Sequence, residues 1–147
     1  MEKIKIALGG DHAGYAYKAD FIKYLEQNGY ECVNVGTDTP ESVDYPIYAG
    51  KVCDLVSGGE CKYGVLICGT GIGMSMAANK HHAIRAALCG DVESARLTRM
   101  HNDANVLCLG ARIISYDKAL EILKVFLSTS FMGEHHVRRV KMLDELI

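Results

Sequence analysis

Short apolar runs rich in β-branched residues alternate with helix-period segments along the whole chain, and that alternation restricts the fold more than any other property. Ile4 to Leu8 is such a run, stopped by Gly9-Gly10, and reads as a buried strand closed by a loop. From Tyr15 to Gln27 the apolar residues Ala16, Ala19, Phe21, Ile22 and Leu25 recur at helical spacing, and Asn28-Gly29 supplies a stop. Tyr30 to Val35 reads as a second strand closed by Gly36, and Thr37 to Tyr45 as a polar loop. Pro46 can open the next helix, whose apolar face runs from Ile47 to Val56. Tyr63 to Cys68 is a third strand, followed by Gly69-Thr70-Gly71-Ile72-Gly73 and a helix from Met74 to about Lys80.

The second half repeats the scheme. Ile84 to Cys89 reads as a fourth strand, Asp91 as the cap of a helix reaching about Met100, and Val106 to Leu109 as a fifth strand. Ser115 caps a helix to Leu127, and Gly133 precedes a last helix rich in His and Arg. Strands alternating with helices predict an α/β fold: a Rossmann-like three-layer αβα sandwich on a five-stranded parallel sheet. Crossovers should be right-handed, and ligands should sit beyond the carboxyl ends of the strands. A length of 147 residues suits one domain, 1–147.

Bulk composition removes several function classes. The net charge is −2 with no basic stripe, so nucleic acid is not an expected partner, and an anionic substrate must meet a local cluster of cations. No apolar run is long enough to span a bilayer, and the first residues do not form a signal peptide, so no membrane partner is expected. The six cysteines form no CxxC pair and read as reduced thiols of a cytoplasmic protein, mostly packed as small hydrophobes. No set of ligands has a familiar metal spacing, and no cofactor signature is present, so neither a metal nor a cofactor is expected.

Most of the chemistry-bearing residues fall at the carboxyl ends of the predicted strands, hence on one edge of the sheet. Asp11 and His12 follow the first strand, where a carboxylate beside an imidazole suits proton transfer, or where Asp11 simply caps the next helix. After the third strand, Cys68 meets a loop with three alternating glycines. A helix start there offers N–H groups and partial positive charge that suit a phosphate or an enolate oxygen, and would also suit a thiolate at Cys68. The alternatives are a dinucleotide loop, weakened by Met74 in place of a third glycine, and a buried cysteine that only fills space. His101 and Asn102 precede the fifth strand, either as acid/base and hydrogen-bonding groups or as a polar turn. Arg112 follows that strand, and His135-His136-Val137-Arg138-Arg139 opens the last helix; arginine forks bind phosphate well, although a basic run is often only a solvated face.

Gly10-Asp11-His12-Ala13-Gly14, Asp44-Tyr45-Pro46, Cys68-Gly69-Thr70-Gly71-Ile72-Gly73, Ala77-Ala78-Asn79-Lys80 and His101-Asn102-Asp103-Ala104-Asn105, in that order, carry a resemblance over nearly the whole chain. The sequence resembles the type B ribose-5-phosphate isomerases, in the family that also holds the galactose-6-phosphate isomerase subunits. The resemblance implies a metal-free aldose–ketose isomerase with ribose 5-phosphate as substrate. Allose 6-phosphate is a candidate side substrate. It also implies a homodimer, in some relatives a tetramer, with active sites shared between subunits and the last helix (about 133–147) contributing to the dimer. By the same resemblance Cys68 is the base at C2, Gly69, Gly71, Ile72 and Gly73 hold the enediolate, and His101 opens the furanose ring with Asp11 and Thr70. His12, Tyr45, Asn102, Arg112 and Arg139 bind substrate. Many relatives have Arg then His at the start of the last helix; here those places are His135 and His136, with Arg138 one turn on. Three readings compete: a galactose-6-phosphate isomerase subunit that works as one of a mixed pair, a non-catalytic sugar-phosphate-binding module, and a nicotinamide-dependent oxidoreductase using the glycine loop.

Overall fold

The five strands lie parallel in the order β2-β1-β3-β5-β4. The structure is a computed structural model that describes residues 2–147. The strands are β1 (Lys5–Gly10), β2 (Glu31–Gly36), β3 (Tyr63–Cys68), β4 (Ala86–Leu88) and β5 (Val106–Gly110). They alternate with α1 (Tyr15–Gln27), α2 (Tyr45–Ser57), α3 (Ile72–Ala78), α4 (Val92–Asn102) and α5 (Tyr116–Ser128), and α6 (His136–Asp144) closes the chain. The predicted α/β sandwich is therefore the observed one.

Central strands of a parallel sheet are covered on both faces and so read as unbroken apolar runs. β3, between β1 and β5, is buried at every position. Its residues alternate between two cores, as the two-residue period of a strand demands. Val65 and Ile67 join Phe21, Leu25, Ile122 and Phe126 on the α1/α5 face. Leu66 and Cys68 join Val52, Met74 and Cys108 on the α2/α3 face. Cys68 thus points to the side that α3 covers.

Several boundaries move, each for a local reason. α3 begins two residues early because Gly71 takes a left-handed conformation (φ 79°) and turns the chain into the helix. β4 is shorter than Ile84 to Cys89, since the Arg85 N–H is taken by the Asn105 side chain at 2.8 Å. α4 runs on through His101 and Asn102, ending at Asp103 in a left-handed conformation (φ 47°), so the expected polar turn is the last helical turn. The last helix starts at His136, after Gly133 and Glu134 at positive φ. The Asp91 cap is as expected, its carboxylate accepting from Ser94 N–H at 2.7 Å. Asp91→Ala should cost about 1 kcal/mol, read as a lowered urea midpoint at unchanged slope.

Candidate active site

The order of the strands creates the crevice. From β1 the chain crosses to β2 on one side, and later returns to place β3 on the other. The loops leaving β1 and β3 therefore diverge, and a ligand can sit between them. Asp11 and His12 leave β1 there, and Cys68 to Gly73 leave β3.

Backbone contacts lock these two loops together. Asp11 N–H donates to Ile67 O at 3.2 Å. Gly14 sits so close to β3 that an added Cβ would fall 2.2 Å from Ile67 O, so only glycine fits. Asp11 is buried, and its Oδ1 accepts from Ala13 N–H at 2.9 Å and Gly14 N–H at 3.2 Å. It caps the turn into α1, and its second oxygen has no protein donor among the described residues. His12 Nδ1 accepts from Val43 N–H at 3.3 Å. The neutral ring then carries its proton on Nε2, the nitrogen free to donate to a ligand.

Cys68 is buried at the tip of β3, and Gly71 N–H donates to its Sγ at 3.2 Å. The next amide, Ile72 N–H, is taken by Thr70 Oγ1 at 3.2 Å. Gly73 N–H has no protein acceptor among the described residues. Of the Gly71, Ile72 and Gly73 amides, one is thus unengaged and two are held within the loop. The Tyr45 hydroxyl lies over Gly73, 2.8 Å from where a Cβ would stand. The Arg112 guanidinium lies against Gly69 in the same way, and Arg112 N–H bonds Gly69 O at 2.9 Å. Asp11, His12, Tyr45, Cys68, Gly69, Thr70, Gly71, Ile72, Gly73 and Arg112 therefore gather at the carboxyl edge.

The other candidates do not join them. His101 and Asn102 form the last turn of α4, which precedes β5 and so lies at the opposite, amino edge of the sheet. Cys68 pairs with Gly110 at the far end of β5. That strand spans roughly 13 Å at about 3.3 Å per residue. The expectation of a single edge is thus corrected: a helix ending before a parallel strand lies at that strand's start. At the amino edge the His101 and His136 rings stack with centroids 4.4 Å apart, and His135 lies 4.0 Å from His136. Desolvation, then the neighbouring His135, His101 and Arg139, hold His136 below the ordinary imidazole pKa. Arg139 follows one turn along α6, so this edge is a cluster of cations and imidazoles.

This second cluster is braced from behind. Buried Arg99 donates to Thr129 O at 3.1 Å, Ala104 O at 2.7 Å and Asp103 Oδ1 at 2.8 Å. It thereby ties the end of α4 to the segment leading to α6. Arg85 grips Asp144 at 2.9 and 3.0 Å and fixes the far end of α6.

Burial raises the pKa of each of the other five thiols. Burial pushes Cys53 up to about 12, Cys32 and Cys89 to about 11, and Cys108 well above its ordinary value. They stay protonated at neutral pH and serve as packing. All six cysteines are free. Among the described residues no helix is long and apolar enough to cross a membrane, and no three His, Cys, Asp or Glu side chains converge as metal ligands.

The chain is similar to known proteins along almost its whole length. Residues 6–143 match the family model described as Ribose/Galactose Isomerase. Ribose-5-phosphate isomerase B of Escherichia coli is 43% identical over 142 residues, covering 97% of this chain and 95% of that protein. The solved structure of Clostridium thermocellum ribose-5-phosphate isomerase B superposes with a TM-score of 0.95 at 46% identity, over 97% of each chain. The type B enzyme of Trypanosoma brucei gives 0.95 at 42% identity, over 99% of this chain and 100% of that one. Asp11, Cys68 and His101 all fall within the matched span, and the chain belongs to the ribose/galactose isomerase family.

Proposed function

We propose that this chain interconverts ribose 5-phosphate and ribulose 5-phosphate as an aldose–ketose isomerase. The carrying observation is a thiol at the switch-point crevice beside an amide-rich loop, with imidazoles and arginines held apart at the other edge. In this reading 1–147 is one isomerase domain that works as a homodimer. A second copy laid against the first supplies the amino-edge cluster to each carboxyl-edge crevice. The exposed apolar side chains of Ile72, Met76, Leu88 and Val92, and of Val137, Met142 and Leu143 on α6, support such a contact. No residue of α6 is buried within its own chain. The six free thiols fit a cytoplasmic enzyme.

The chemistry follows from the groups. Arg112, Arg139, His12, His135 and His136 hold the phosphate, and Asn102 and Tyr45 contact the sugar. His101, with Asp11 and Thr70, takes the proton from O1 and delivers one to the ring oxygen, which opens the furanose. The open chain is scarce in water, so holding it oriented supplies much of the rate. The Cys68 thiolate then removes the proton from C2, leaving an enediolate whose charge faces the Gly69–Gly73 loop. Losing one such donor costs roughly 3 kcal/mol of barrier. Returning the proton to C1 yields the ketose; in sum one proton moves from C2 to C1 and one from O2 to O1.

The test is incubation of the purified chain with ribose 5-phosphate in deuterated water, without added metal or nucleotide. Ribulose 5-phosphate should appear, with deuterium at C1. Failure to convert ribose 5-phosphate, allose 6-phosphate and galactose 6-phosphate would leave a binding module as the better reading. Conversion of galactose 6-phosphate alone, and only with a second type of subunit, would favour the galactose-6-phosphate branch.

A further inference from the structure

Lys18 is 0% exposed, a fully buried ammonium in the first turns of α1. A buried charge is tolerated only when paired and fully hydrogen-bonded. Here Nζ donates to Asn34 Oδ1 at 2.6 Å, Thr37 O at 2.9 Å and Asp38 Oδ1 at 2.9 Å, which uses its three protons. Asn34 Nδ2 also bonds Asp38 Oδ1 at 3.3 Å. All three acceptors lie on the last part of β2 and the loop that leaves it. Bonds from both Lys18 and Asn34 hold the Asp38 carboxyl below its ordinary pKa, so the ion pair persists at neutral pH.

That loop has no regular structure between Gly36 and Tyr45. Its far end donates the Val43 N–H to His12 Nδ1 at 3.3 Å. Immediately after it, Tyr45 opens α2 with its hydroxyl over Gly73. The loop is therefore pinned at its start by Lys18 and touches the crevice at its end in two places. We propose that Lys18 is a positioning residue of the active site: by anchoring the 37–44 loop it fixes the ring orientation and tautomer of His12 and the placement of Tyr45. It meets no substrate itself. The proposal rests on the reading of His12 and Tyr45 as substrate ligands.

Lys18→Met removes the anchor and leaves an apolar side chain of similar length facing the Asn34, Thr37 and Asp38 acceptors. Two measurements on the full chain are needed: steady-state kinetics with ribose 5-phosphate, and the ¹⁵N shifts of the His12 ring. Loss of placement should lower kcat/KM roughly tenfold or more, mostly through KM. The His12 ring should shift from a single Nε2–H tautomer to a mixture. Combining Lys18→Met with His12→Ala should add much less than the product of the two losses. If Lys18→Met does not fold, two glycines inserted between Glu41 and Ser42 keep the Lys18 bonds and uncouple them from Val43. That variant should reproduce the KM rise and the tautomer change with little change in melting temperature. Unchanged KM and unchanged His12 shifts, in Lys18→Met or in the insertion variant, would overturn the role even if Lys18→Met melts lower. Inactivity of the unmodified chain would instead count against the isomerase reading, and the ring shifts would still decide the positioning role.

Discussion

Cys68→Ala is expected to retain the fold and lose nearly all isomerase turnover. The replaced atom is one sulfur at a strand tip, and the strand's packing lies below it. The structural cost is the Gly71 N–H left without its acceptor, about 1–2 kcal/mol if water does not reach it. The catalytic cost is larger, because a positioned base contributes roughly 10²–10⁴-fold. No other thiol can replace it, since burial keeps Cys53, Cys89 and Cys108 protonated and they lie within the cores. The measurement is deuterium exchange at C2 beside a thermal melt and circular dichroism. A variant that melts normally and exchanges at wild-type rates would remove Cys68 as the base.

The second large effect comes from mixing two dead proteins. Cys68→Ala and His101→Ala should each be nearly inactive as pure samples. Unfolded and refolded together in equal amounts, they should recover about a quarter of wild-type activity if the proposed shared-site dimer holds, for then half of random dimers are mixed and each mixed dimer has one intact site. The expectation follows from the placement of His101 at the amino edge and Cys68 at the carboxyl edge. A site completed within one chain would give no recovery. The same mixing of Cys68→Ala with Thr70→Ala, both at the carboxyl edge, should give none.

Much of this was legible in the sequence, and the exceptions have a common cause. Tyr63 to Cys68 and Tyr15 to Gln27 match the observed β3 and α1, because burial imposes a clear apolar period on both. The Asp91 and Ser115 caps were legible because an N-cap is a local device. The edge strand β4 was legible in place but not in length, since a bond from Arg85 N–H to the Asn105 side chain competes with its ladder. The residue types of the site were legible, but their division between two edges was not. His101 precedes the fifth strand, so the chain order already carried the signal for the amino edge. Lys18 was missed altogether, although a signal existed. It falls three and seven residues before Phe21 and Leu25, on the inward stripe of α1, where a lysine must find acceptors.

The close approach of Gly14 to Ile67 bears on how such a catalyst can change over generations. One end of the crevice is made of main chain in contact with main chain, so its shape tolerates no added atom and few substitutions. In the opposite cluster, His136 and Arg139 sit on a nine-residue helix with no buried position, where side chains can be exchanged without disturbing either core. Adaptation to a longer sugar should therefore be written in α6 and the end of α4, while the proton-transfer apparatus at Cys68 stays constant. His135 and His136 stand on that permissive side, where an imidazole can take the place of a guanidinium at little cost to the fold.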